Sequence, residues 1–297
     1  MRFRSCAVGL SLVLIMCCAA VASAQTEPAQ QFASGKVLLA KGDFQGALEV
    51  FKAATKAEPE NSEYFQEYTL LRRVINIREQ LKDEEDAETW QKMSRALYNY
   101  YRQHKIDQEA LATARALHEK AGSAESAALL AEAQLTAGDN VAAAALLTQL
   151  GEAQRTIQTD VLQGVALARL SKLDEAKAIA AKLELPKDCD GPLCFNAARL
   201  YALVGDAEKA IAALKCSFEC TPPNQLEAVK ADAKECRDLA GLTASPAFAS
   251  ALETKSKVAG GCAKDCGKCP SKDKGGCAKD KEKEAAGCKE HEQGREK

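Results

Sequence analysis

Apolar and small residues recur between residues 28 and 221 at the three-and-four spacing of helices that bury one face. In PAQQFASGKVLLAKGDFQGALEVFKAATKAEPEN (28–61) they fall at Gly35, Leu38, Ala47, Phe51 and Ala54. Gly42-Asp43 interrupts the run as a turn between two helices, and Pro59 ends the second. Small side chains at 35, 47 and 54 let two antiparallel helices approach closely, with Phe51 filling the gap beside them. The unit predicted is a helix hairpin.

The same cadence returns in LLAEAQLTAGDNVAAAALLTQL, with Gly138-Asp139 at the turn and Ala131, Ala143 and Leu147 in the packing positions. It returns at SKLDEAKAIAAKL, with Gly164 and Ala176 in the small positions. It returns once more in LCFNAARLYALVGDAEKAIAALKCSFECTPPN, around Gly205-Asp206, with Ala198, Tyr201, Ala210, Leu214 and Pro222 in place. Successive turns at 138, 171 and 205 are 33 and 34 residues apart. A fixed period of this size is the mark of a repeat architecture. With these residues in these positions the chain resembles tetratricopeptide repeat (TPR) proteins. The resemblance implies an all-α fold, a right-handed α-α superhelix of stacked antiparallel hairpins.

The pattern weakens between 62 and 120. Ser62–Lys82 reads as an extra, longer helix without an obvious partner, and Trp90–Gln103 as the helix before a small position at Ala110. Asp83-Glu84-Glu85-Asp86 suits the solvated start of a helix, near the positive end of its dipole. Tyr98, Tyr100 and Tyr101 suit packing between helices. Residues 222–254 read as capping helices, with Leu226, Val229, Ala233, Leu239, Leu242 and Phe248 covering the apolar face left open by the last repeat.

Both ends of the chain read differently. Residues 1–24 have the layout of a secretory signal peptide: Arg2 and Arg4, an apolar stretch from Cys6 to Val21, then Ala22-Ser23-Ala24. The expected product is exported, periplasmic or secreted. Residues 255–297 hold 12 Lys+Arg and 8 Asp+Glu with Val258 as the only large aliphatic residue, so they cannot bury enough surface to order themselves. A disordered tail is expected there.

Composition narrows the function. Apolar residues make up 46% and suffice for a core, while aromatic content of 5% favours helices over a β-sandwich. Forty basic residues against 42 acidic ones leave −2, which argues against a chain built to coat nucleic acid. Three histidines (His104, His118, His291), placed at a turn, a helix end and in the tail, offer no acid–base constellation. With no phosphate-cradling loop or nucleophile motif either, an enzyme is not expected.

The thirteen cysteines carry the remaining chemistry. Cys189, Cys194, Cys216, Cys220 and Cys236 crowd into the last repeat and its cap. Cys194 opens one helix while Cys216 and Cys220 close its partner, so disulfides joining these ends are expected in an exported protein. In the tail, Cys262, Cys266, Cys269, Cys277 and Cys288, with His291, could converge on a soft ion such as Zn or Cu, or form disulfides.

The TPR resemblance implies a protein or peptide partner bound on the concave face, which the first helix of each hairpin lines. Carried over by register, that face would include Lys36, Arg95, Asn99, Arg102, Glu132, Arg169, Asn196 and Arg199. Planar Arg and Asn donors suit peptide backbones and carboxylates. The expected function is thus an exported interaction scaffold, with a metal-binding or thiol-handling tail protein as the alternative and no integral membrane segment after signal cleavage.

Overall fold

The computed structural model describes residues 27–186 and 190–258, and every regular element among them is helical. The signal segment, Cys189, and the tail with Cys262, Cys266, Cys269, Cys277, Cys288 and His291 lie outside the described residues. The chain divides into two compact units between Ser171 and Lys172.

The first unit holds α1 (27–40), α2 (Phe44–Ala57), α3 (Ser62–Gln80), α4 (Ala87–Gln103), α5 (Asp107–Ala121), α6 (Ala124–Thr136), α7 (Asn140–Thr148) and α8 (Ile157–Arg169). From α4 to α8 each helix packs on its neighbours in chain order. The second unit holds α9 (Leu173–Lys182), α10 (Gly191–Leu203), α11 (Ala207–Glu219), α12 (Pro223–Glu235), a 3-10 turn (Arg237–Leu242) and α13 (Pro246–Leu252). Here α10 pairs closely with α11, the 3-10 turn covers α10, and α13 packs on α11. No described helix is long and apolar enough to cross a membrane.

One turn geometry recurs. Gly42, Gly138 and Gly205 have φ of 79°, 82° and 87°, in the left-handed region that glycine enters without penalty. The aspartate after each caps the next helix: Asp43 accepts from Gly46 N at 2.9 Å, Asp139 from Ala142 N at 3.0 Å and Asp206 from Lys209 N at 3.1 Å. Lys105 (φ 55°) and Ser171 (φ 64°) take the same conformation without glycine. The left-handed turns at 105, 138, 171 and 205 therefore keep one register.

This register accounts for the weak stretch. A turn one period before Lys105 would fall at about residue 72, inside α3, which runs unbroken from Ser62 to Gln80. A single long helix stands where the repeat calls for a helix, a turn and the start of another.

Packing follows the small-residue positions. Ala47, Phe51 and Ala54 are fully buried, and a Cβ on Gly35 would sit 2.5 Å from the Phe51 ring, so α1 and α2 approach closely because residue 35 has none. The Phe51 ring in turn lies 5.0 Å from that of Phe32. Tyr98, Tyr100 and Tyr101 are all buried in the core of the first unit. In the second unit Leu226, Ala233, Leu239 and Phe248 are buried, while Leu242 is half-buried and Val229 lies on the partly covered side of α12.

Candidate functional site

The residues assigned by register to a partner-binding face do not share one environment. In the first unit the basic ones are tied to groups about thirty residues away along the chain. Lys36 Nζ on α1 meets Glu63 Oε1 on α3 at 2.9 Å. On α4, Arg95 pairs with Glu125 and Arg102 with Glu132 (2.8 Å), both acids on α6. Arg169, closing α8, donates to the Leu135 carbonyl at 2.6 Å and lies 3.4 Å from Asn140 Oδ1. These bonds run between helices of different hairpins, binding one hairpin to the next.

Their energetics differ with burial. Lys36–Glu63 is exposed on both sides and contributes little. Glu132 is buried, so Arg102 neutralises a charge that would be costly alone. Tyr98 beneath it donates its hydroxyl to the Leu129 carbonyl at 3.1 Å, and burial pushes its phenol well above the usual range. Asn99 is the exception: it is exposed, between Arg95 and Arg102 on α4, and its side chain makes no described hydrogen bond.

In the second unit Asn196 and Arg199 are interior residues, only 1% and 7% exposed. Arg199 Nε donates to Asp238 Oδ2 at 2.8 Å, and its Nη1 donates to Asn196 Oδ1 at 2.6 Å. The repeat register places both on the first helix of their hairpin, as expected. The 3-10 turn then covers that helix and supplies Asp238, so these two side chains hold the cap rather than line an open face. Asp238 gave no signal in the sequence, because the pairing spans 39 residues.

Two cysteines of the last hairpin come close together. Cys194 Sγ lies 2.9 Å from Cys216 Sγ. Gly191, opening α10, accepts from Ser217 Oγ at 2.8 Å, so the start of α10 and the end of α11 adjoin. Burial, the neighbouring Cys220 and Glu219 push the Cys216 thiol up to about 11. Cys236 caps the C-terminal end of α12. No cluster of three or more potential metal ligands occurs among the described residues.

A feature the sequence did not show lies between α1, α3 and α4. His104, read from the sequence as lying at a turn, is half-buried, with its ring stacked on that of Tyr100 at 4.2 Å. Burial, with Lys36 nearby, lowers its pKa to about 4. Because the folded state binds that proton less readily than the unfolded chain, stability falls as pH drops from about 6.5 to 4. Glu67, held by burial above its ordinary range, acts in the opposite sense. Comparing His104→Gln with the wild type isolates the histidine. Their difference in Tm should shift in favour of the variant on acidification across that window and stay constant below it; parallel profiles would refute the assignment.

Comparison with known proteins finds distant structural likenesses only. No family model matches the sequence, and no curated protein is similar to it. Among solved structures, a tetratricopeptide repeat protein from Parabacteroides merdae ATCC 43184 is similar, at 18% identity and a TM-score of 0.43, over 77% of this chain and 93% of that one. A thermophilic TPR protein of Thermus thermophilus is similar at 18% identity and a TM-score of 0.38, over 76% of this chain and 98% of that one.

Proposed function

We propose that this chain is an exported, TPR-type scaffold that binds a protein or peptide partner on the face formed by α4, α6 and α8 of its first unit. The observation that carries the reading is the packing of α4 to α8 in chain order. An array in which each hairpin touches its neighbours exposes far more ordered surface than a globule of equal size, and binding is what such surfaces serve. Interactions between hairpins hold Arg95, Arg102 and Arg169 in fixed orientations. Side chains oriented in this way before a partner arrives lower the entropic cost of association. Export rests on the charged, apolar and small-residue sequence of 1–24.

Asn99 is the residue on which to test this, since it is exposed on α4 and supports no described neighbour. Tagged wild-type protein should retain a defined partner from the exported fraction. Asn99→Trp should reduce that retention at least tenfold, with Tm unchanged. Equal retention by both proteins would contradict the assignment of the face.

A further inference from the structure

Three buried polar atoms at the junction of α3 and α4 have no hydrogen-bond partner among the described residues: Glu67 Oε2, Tyr100 OH and His104 Nε2. Leaving such a group unmet is costly, so native folds hold few of them. Here three share one neighbourhood. The Tyr100 and His104 rings stack at 4.2 Å. The Glu67 carboxylate is close enough to raise the Tyr100 phenol further, and the Lys36 ammonium acts on both Glu67 and His104. The place is also where one long helix replaces a hairpin.

The donor and acceptor balance selects a ligand. Lys36 is bonded to Glu63, which leaves Glu67 as a carboxylate without a cation among the described ion pairs. His104 is neutral at pH 7, so Nε2 accepts when the proton sits on Nδ1. The Tyr100 oxygen accepts as well as donates. Three acceptors with one negative charge complement a primary ammonium, which has three N–H donors and one positive charge. An anion would meet the Glu67 carboxylate. The Lys36 side chain is half exposed, with its ammonium 4.6 Å above the Phe32 ring and within reach of the site.

We propose that Glu67, Tyr100 and His104 form a recognition site for the side-chain ammonium of a lysine on the partner, with Lys36 as the movable cover it displaces. This deepens the reading of the chain as a protein-binding scaffold and rests on it. The probe is Nα-acetyl-lysine methylamide, titrated into full-length protein labelled with 15N-histidine, with the His104 imidazole followed by NMR. A saturable shift is expected with this probe and none with Nα-acetyl-norleucine methylamide, which keeps the chain and lacks the charge. Glu67→Gln should weaken the response at least tenfold; Tyr100→Phe, which removes only the hydroxyl, should weaken it as well should the first variant fail to fold. No saturable shift, or equal shifts with both probes, would overturn the site. Saturation by alaninamide alone would overturn the lysine assignment, because that probe carries only an α-amine. The titration reads this site by itself, whereas retention of a partner by wild type and Asn99→Trp reads the scaffold function, so either can fail without the other.

Discussion

Asp238→Ala should lower the unfolding free energy of the protein by about 3–5 kcal/mol, the loss typical when one member of a buried ion pair is removed. Arg199 and Asp238 are 7% and 8% exposed, and their bond at 2.8 Å ties the 3-10 turn to α10. Truncating the aspartate leaves a buried guanidinium beside Asn196, a neutral acceptor. The cost is therefore desolvated charge rather than lost contact area. A second variant separates these causes. Replacing both residues with apolar ones, Arg199→Met with Asp238→Leu, should recover most of the loss, since an apolar pair leaves no charge uncompensated. Denaturant titration of the three proteins reads the difference. If the double variant is as unstable as Asp238→Ala, the pair is not what holds the cap.

Phe51→Ala should cost a similar amount, about 3–5 kcal/mol, by opening a cavity between α1 and α2. The ring is fully buried, and Gly35 lies directly against it. Gly35→Ala in the wild type forces its methyl into that ring and should destabilise, although alanine is the better helix former. In the Phe51→Ala background the same methyl enters vacated space. The two substitutions should then be non-additive by about 1 kcal/mol or more, with the double variant more stable than the sum predicts. Strict additivity would mean that the close approach of these helices does not depend on the small side chain.

These two sites mark what the sequence can and cannot reveal. Gly35 and Phe51 belong to a pattern that repeats, and so do the Gly-Asp turns at 42, 138 and 205; period and residue type point to the same hairpin. The long helix over Ser62–Gln80 was also visible, as an interval without a turn. Lys105 and Ser171 adopt the same left-handed conformation with side chains that do not favour it; the period marked a turn at 171, but not its backbone conformation. The polar face was legible only as far as register reaches. Register put Arg199 on the correct helix but is silent about what covers that helix, and the cap's Asp238 turned a surface assignment into a buried pair. The Glu67, Tyr100 and His104 cluster had no signal, since it forms where the periodic pattern fails.

The acids on α6 illustrate the same limit in the first unit. Glu125 and Glu132 pair with Arg95 and Arg102 only because α4 and α6 come together across α5. Helix patterning predicts each helix, and the repeat predicts their order. The matching of charges between them depends on side-chain direction in three dimensions, and on which long side chain reaches its partner first.

Photo-crosslinking from the first unit reads partner contact most directly. With benzoyl-phenylalanine at position 99 on α4, irradiation of cells producing the protein should give a discrete adduct; the same group at the exposed Val141 on α7 should give none. Adducts of equal yield from both positions, or from 141 alone, would contradict a partner seated on α4, α6 and α8.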